Sequence, residues 1–323
     1  MLKQNPEETR DRYGKTLVRL ARQDQRVIAM DCDLGRSTRS YGVTEVDQRR
    51  FIDMGIAEQD MISTAAGLAS CGKIVFVNTF AIFLTGRAFD QIRQQVSLPR
   101  MNIKLCGSSA GITLGADGAT HQSINDVGLM RCLPHMSVLV PGDADQTEKA
   151  VLAAYKHVGP VYLRLSRYQL AGFLPPDCPF KMGKAVALRE GSHVALVATG
   201  PVTYHALEAA GRLEAKGISA GVYNFHTIKP FDTACVREIA HHYRVVFTVE
   251  EHNVIGGLGS AFTEALAELW EPALKPPVHR LGVRDTYGES GTAEELLHKH
   301  RLDAEGVTQT VLENLDGRSE NQR

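Results

Sequence analysis

Short apolar runs alternate with longer stretches of helical period along most of the chain. The runs KIVFVNTF (73–80) and NIKLCG (102–107) have the length and the branched side chains of buried strands. The stretches GRAFDQIRQQV (86–96) and DQTEKAVLAAYKH (145–157) repeat apolar residues every three or four positions, as helices that pack one face on a core do. Strands that alternate with helices in this way predict parallel sheets.

A proline-rich break, GFLPPDCPFKMGK, interrupts this alternation near the middle of the chain, and the alternation resumes after it. A chain of 323 residues is long enough for two ordinary domains. We therefore predict two consecutive α/β domains with mainly parallel sheets, residues 1–172 and 185–323, joined by a linker at 173–184. From about Asp303 the pattern predicts a last helix followed by a polar, frayed end.

Composition narrows the possible partners and compartments. The formal net charge is only −1, so neither nucleic acid nor an anionic membrane surface is expected as a partner. The six cysteines are scattered without CxxC spacing, which indicates thiols in a reducing compartment. No apolar run approaches the roughly 18 residues that span a bilayer, and the first residues are charged. A soluble, cytoplasmic protein is expected.

Ligands of open parallel sheets bind outside the carboxyl ends of the strands, and polar residues follow several predicted strands here. Glu58 comes after FIDMG, at a predicted helix start, where a carboxylate is usually a favourable helix-end residue. Its neighbours Met54, Ile56 and Met61 suggest another role, because a carboxylic acid enclosed by such groups loses hydration and can stay protonated as a hydrogen-bond donor.

Two other polar motifs invite comparison with known sites. The loop TLGADGATHQS carries Asp117 and His121 among glycines that allow unusual backbone conformations. Glu250, Glu251 and His252 resemble a metal cluster, but adjacent residues on a strand end point in different directions, so we assign no metal ligand. The following GGLGS lacks the full phosphate-loop pattern and is interpreted as the start of a helix packed on the sheet.

Several motifs together carry a family resemblance over nearly the whole chain. They are FIDMGIAEQDM, VNTFAIF, GITLGADGATHQS, LRLSR, HTIKPFD and VEEHNVIGGLGS. In this order they resemble the pyrimidine-binding and C-terminal domains of transketolase and of its relative deoxyxylulose-phosphate synthase. The resemblance implies thiamine diphosphate as the cofactor.

The resemblance also implies roles around the cofactor. Glu58 matches the glutamate that hydrogen-bonds N1′ of the aminopyrimidine and so helps to remove the thiazolium proton. Phe80 matches the ring that stacks on the aminopyrimidine, and Phe83 is similar to a second pocket aromatic. Asp33 resembles a residue near the thiazolium ring. His121 matches a catalytic histidine that also contacts the donor.

A second set of residues is implied to bind the sugar. Asp117 and His121 match residues that hydrogen-bond hydroxyl groups of the ketose donor. Arg10, Ser37 and Arg167 match positions that hold the sugar phosphate, for which guanidinium groups are well suited. Phe83 makes the chain more similar to transketolase, whereas the motif GADGAT makes it more similar to the synthase. The sequence therefore does not decide which sugar is the donor.

Full-length members of the family begin with a domain whose GDG motif holds the diphosphate and its metal ion. No such motif is found here, since the only DG pairs are Asp117-Gly118 and Asp316-Gly317. We therefore expect a separate partner subunit that holds the diphosphate and Mg²⁺ in an α₂β₂ assembly, with self-association of this chain as a homodimer.

The expected function is that of the pyrimidine-domain β subunit of a split transketolase, which transfers a two-carbon ketol unit between sugar phosphates. Two alternatives stay open at this point. One is the β-type subunit of a 2-oxo acid dehydrogenase decarboxylase component, distinguished by lipoyl reduction instead of ketol transfer. The other is a scaffold or regulatory subunit without catalysis.

Overall fold

The structure, a computed structural model, describes residues 6–175, 177–269, 271 and 276–320. Its described strands are β1 (Val27–Asp31), β2 (Phe51–Asp53), β3 (Ile74–Phe80), β4 (Ile103–Ser108), β5 (Ser137–Leu139), β6 (Val161–Arg164), β7 (Val186–Arg189), β8 (Val194–Ala198), β9 (Ala220–Asn224), β10 (Thr227–Lys229), β11 (Val245–Asn253) and β12 (Val278–Val283).

The described α-helices are α1 (Thr9–Gln23), α2 (Gly35–Thr38), α3 (Glu58–Ser70), α4 (Phe89–Gln91), α5 (Asp126–Arg131), α6 (Ala144–Lys156), α7 (Thr203–Glu214), α8 (Thr233–His242), α9 (Leu258–Glu268), α10 (Ala293–Lys299) and α11 (Ala304–Glu320). Shorter 3₁₀ segments are Ser40–Glu45, Gln48–Arg50 and Ile112–Asp117, and π-helical segments are Phe83–Arg87 and Ile92–Ser97.

The strands form two sheets, as predicted. The first has the order β10-β5-β6-β4-β3-β1-β2 and is parallel except where β10 pairs antiparallel with β5. The second has the order β12-β11-β8-β9-β7 and is parallel except for the β7–β9 pair. The predicted α/β class with mainly parallel sheets is therefore confirmed.

The two domains share part of one core. One buried cluster includes Met30 and Val77 from the first sheet together with Val197 from the second sheet and Phe262 from α9. In addition, β10 comes from the second half of the chain but completes the first sheet. The division into residues 1–172, 173–184 and 185–323 stays a prediction.

Some expectations need refinement. The predicted helix at GRAFDQIRQQV is interrupted, because the short α4 lies between two π-helical segments. The predicted last helix is present as α11. Trp270 and the polar end at 321–323 lie outside the described residues.

Candidate active site at the carboxyl edge of the first sheet

Glu58 is the first residue of α3, immediately beyond β2 and the turn at Gly55. Its side chain is buried, with 1% exposed. Its Oε2 accepts a hydrogen bond of 2.8 Å from Nη1 of Arg87, whose own side chain is 46% exposed. A buried carboxylate is stable only with such a partner, and Arg87 was not singled out from the sequence.

The predicted apolar enclosure of Glu58 is only partly present. Met61 is fully buried and Met54 is half-buried, but Ile56 is largely exposed, so the expectation for Ile56 is wrong. Gly55 has a φ of 65°, a left-handed conformation that turns the chain just before Ile56. A guanidinium group, rather than this aliphatic side chain, contacts the carboxylate.

Three predicted rings lie together beside this carboxylate. Phe80 ends β3, and Phe83 begins the π-helical segment; their rings are nearly parallel, at 14°, with centroids 6.0 Å apart. The imidazole of His121 meets both rings edge-on, at centroid distances of 6.3 Å to Phe80 and 5.2 Å to Phe83. Arg87 lies over the Phe83 ring at 4.8 Å. Contacts therefore run continuously from Glu58 through Arg87 and the phenyl rings to His121.

The residues predicted to hold the sugar phosphate, together with Asp117, which is predicted to bind a sugar hydroxyl, form two pairs. Nη1 of Arg10 donates to Oγ and the carbonyl oxygen of Ser37, at 2.9 and 3.0 Å. Nη1 of Arg167 donates to Oδ2 of Asp117 at 3.2 Å. The pairs are neighbours, because the backbone N–H of Arg10 donates to the carbonyl of Ser166 at 3.4 Å.

The loop after β1 is organised by Asp31, the last residue of that strand. Asp31 is buried and accepts hydrogen bonds from Leu34 N, Thr38 Oγ1 and Ser40 Oγ, which fixes the turn that carries Ser37. Burial raises the pKa of Asp31 to about 6 against the opposing effect of these donors. Asp33 is exposed, with a φ of 59°, and its role near the cofactor stays a prediction.

The second domain holds the loop that carries Asp117 and His121. Oε1 of Glu251, on β11, accepts a hydrogen bond of 2.5 Å from the backbone N–H of Thr113. Gly111 has a φ of 87°, and a Cβ there would lie 2.2 Å from the same oxygen, so a side chain cannot fit. The conformation of this loop depends on both domains.

Glu250 and His252, the neighbours of Glu251 on β11, also have structural partners. Both carboxylate oxygens of Glu250 accept backbone N–H groups, from Leu258 and Gly259 at the start of α9. Nε2 of His252 accepts from the N–H of Gly128 at 3.3 Å. The interpretation of GGLGS as a helix start is confirmed. Within the described ranges, no group of three or more histidine, cysteine or acidic side chains could hold a metal ion.

A buried charge network anchors the other end of the same loop. Oδ2 of Asp126 accepts from Tyr162 Oη at 2.6 Å and from Arg164 Nε at 2.9 Å. Nη2 of Arg164 reaches the carbonyl oxygen of Glu251 at 2.8 Å. Burial acts to raise the pKa of Asp126, but Arg164, His252 and the hydrogen bond from Tyr162 together outweigh it and leave this pKa lowered.

The donor set fits one half of thiamine diphosphate. A flat aminopyrimidine needs an aromatic face for stacking and a carboxyl group at its N1′ edge, and Phe80, Phe83 and Glu58 supply these groups. The part of the chain that the structure describes offers no matching cluster for a metal ion. This arrangement is the one expected of a domain that binds the pyrimidine half of thiamine diphosphate.

Comparison with known proteins identifies the family. Residues 6–172 match the pyrimidine-binding domain of transketolase, and residues 183–307 match the transketolase C-terminal domain. The chain belongs to the transketolase family. It is a transferase subunit of the C-terminal, pyrimidine-binding kind.

Two curated relatives match over most of their length. The chain is 40% identical to a 6-deoxy-6-sulfo-D-fructose transketolase subunit of Clostridium sp. (strain MSTE9), over 94% of this chain and 93% of that one. It is 36% identical to an apulose-4-phosphate transketolase subunit of Phocaeicola vulgatus, over 94% of this chain and 96% of that one.

A solved structure described as a split gene transketolase, inactive beta4 tetramer, is also similar. It superposes with a TM-score of 0.84 at 42% identity, covering 95% of this chain and 97% of that chain. Neither alternative weighed from the sequence is supported by these matches. Within the described residues, no helix is both long and apolar enough to cross a membrane.

Proposed function

We propose that this chain is the β subunit of a split transketolase that transfers a two-carbon ketol unit between sugar phosphates. The main support is the buried Glu58 at the start of α3, beside the Phe80–Phe83 pair and in contact, through Arg87 and Phe83, with His121. When bound, thiamine diphosphate supplies the nucleophilic carbon that carries the two-carbon unit.

In this proposal the residues at the cofactor have distinct tasks. Glu58 holds a proton at N1′ of the aminopyrimidine, and its buried position strengthens that hydrogen bond. Phe80 and Phe83 orient the pyrimidine ring and exclude water from it. His121 is assigned to exchange a proton with an oxygen of the donor; its Nδ1 lies 2.9 Å from Thr120 Oγ1. Asp33 is proposed to lie near the thiazolium ring.

The anionic end of the substrate is assigned to Arg10, Ser37 and Arg167, with Asp117 at a hydroxyl group. The guanidinium of Arg10 is buried and held by Glu8 at Nε and by Ser37 at Nη1, which fixes its orientation for binding an oxyanion. The names of the two relatives give sugars with a phosphate or a sulfonate group, and the same kind of substrate, a ketose with an anionic end, is proposed here.

A partner subunit is part of the proposal. We assign the diphosphate and Mg²⁺ to a diphosphate-binding subunit that forms an α₂β₂ enzyme with this chain, and we expect the lone chain to associate with itself. The solved relative that is described as an inactive tetramer of β chains supports both expectations. The cytoplasm is the proposed compartment, since unpaired thiols such as Cys32 and Cys106 suit reducing conditions.

The test is the Glu58→Gln variant, reconstituted with the partner and assayed for ketol transfer. Loss of a proton-transfer group commonly costs 10²- to 10⁴-fold in rate. The variant should stay folded because the other member of the ion pair, Arg87, is half-exposed and can be hydrated. Asp60→Asn, a change at an exposed residue in the first turn of α3, is the matched control and should keep full activity. More than about a tenth of wild-type turnover in the Gln variant would contradict the assignment.

A further inference from the structure

Arg87 covers the carboxylate that the proposed function assigns to the cofactor. Glu58 is 1% exposed, so another molecule can reach it only if a covering group moves. Its neighbours Met61 and Cys32 belong to the fixed core, at 0% and 2% exposed. Arg87, by contrast, has nearly half of its side chain in solvent, so its guanidinium can be hydrated once an incoming group takes its place at the carboxylate.

The backbone of Arg87 is held in place, while its side chain lies partly in solvent. The amide of Gln59 donates to the carbonyl oxygen of Arg87 at 3.1 Å and ties this backbone to α3. Arg87 is also the last residue of a π-helical segment, a conformation that is rare and is frequent at functional sites. Its guanidinium lies over Phe83, one of the rings assigned to the pyrimidine. The Arg87 side chain thus covers both the Glu58 carboxylate and the face of the Phe83 ring.

We propose that Arg87 is a displaceable lid on Glu58, which pairs with the carboxylate in the free chain and swings into solvent when the aminopyrimidine binds. Arg87 is then a positioning residue, because it acts through Glu58. This inference rests on the proposed function for the identity of the incoming ligand, but the covering of Glu58 by Arg87 can be tested without any ligand.

The first experiment measures access to Glu58 in the full free chain. A water-soluble carbodiimide with a glycine ester labels exposed carboxyl groups, and mass spectrometry locates the label. Glu58 should be labelled at least about fivefold faster in Arg87→Ala than in wild type, with exposed Asp60 as the internal reference. Arg93→Ala removes an exposed arginine from the next π-helical segment and should leave the labelling of Glu58 unchanged.

The second experiment measures the affinity of the reconstituted enzyme for thiamine diphosphate with Mg²⁺ by calorimetry. Because binding no longer has to break the ion pair, Arg87→Ala should bind about fivefold tighter, or about 1 kcal/mol at 1.4 kcal/mol per tenfold. Arg87→Lys keeps a charged partner and should restore most of the wild-type affinity. If the Ala variant does not fold, Arg87→Gln is used in its place.

The outcomes separate the two proposals. Unchanged labelling of Glu58, or equal or weaker cofactor binding by Arg87→Ala, would overturn the proposal that Arg87 is a lid. If the wild-type complex binds no thiamine diphosphate, the proposed function fails, whereas the labelling rates still decide whether Arg87 covers Glu58.

Discussion

Acidification should lower the free energy of unfolding through His226, where the start of β10 packs on the predicted linker. This residue is fully buried just before β10, and its ring stacks on Phe180 with centroids 4.2 Å apart. Nδ1 lies 3.0 Å from Thr227 Oγ1, while Nε2 is buried without a hydrogen-bond partner among the described residues. Burial lowers the pKa of His226 from 6.5 to about 4, and a backbone hydrogen bond offsets only part of this effect.

The sign and the size follow from linkage. The neutral ring is favoured in the folded chain, so its contribution to stability is complete above pH 6.5 and is lost as the pH falls toward 4. The difference of 2.5 between the pKa values of the unfolded and folded chain corresponds to about 3.4 kcal/mol in the free energy of unfolding. About 2 kcal/mol of this is lost between pH 7.5 and pH 5. Burial also lowers the pKa values of His205 and His252, so wild type alone cannot isolate this residue.

Urea unfolding of wild type and His226→Gln at pH 7.5 and pH 5 isolates the contribution. Between pH 7.5 and pH 5, the free energy of unfolding should fall by about 2 kcal/mol more in wild type than in the variant. His193→Gln, a change at an exposed histidine in the same half of the chain, is the control and should keep the wild-type loss. An equal loss in wild type and His226→Gln would refute the reasoning.

Two further predictions concern the loop that carries Asp117. Asp117→Ala should raise the KM for a hydroxylated ketose about tenfold or more relative to that for hydroxypyruvate, since an unmade hydrogen bond at a polar site costs about 1–3 kcal/mol. Equal effects on the KM of both donors in steady-state kinetics would reassign the residue to folding. Asp126→Asn should lower the free energy of unfolding by about 3–5 kcal/mol, because Arg164 is left charged and buried. Glu264→Gln, which removes the largely exposed partner of Arg131, should cost less than about 1 kcal/mol in the same denaturation assay.

The sequence places several candidate residues together for a physical reason. Carboxyl ends of parallel strands meet at one sheet edge, so Glu58 after β2, Phe80 at the end of β3 and His121 beyond β4 were expected to be neighbours, and the phenyl rings and imidazole are in contact. The family resemblance supplied their roles, which periodicity alone does not contain.

Arg87 was missed because its pairing depends on tertiary structure. It lies 29 residues beyond Glu58 in a stretch whose pattern predicts a regular helix, and the π-helical segment that directs it has no simple sequence signal. The structural role of Glu251 was hidden for a similar reason, since its partner Thr113 lies in the other domain. Helix α1 was also not predicted, although Tyr13, Leu17 and Leu20 are spaced for one helical face and are buried.

The crossing of β10 into the first sheet affects how this protein can be divided. A fragment that ends at residue 172 would keep six of the seven strands and would leave β5 at the margin, with the N–H and C=O groups that now pair with Thr227 and Lys229 open to other chains. Exposed strand edges of this kind recruit foreign strands and promote aggregation. A fragment or gene fusion that contains only the pyrimidine-binding half should therefore also include residues 227–229.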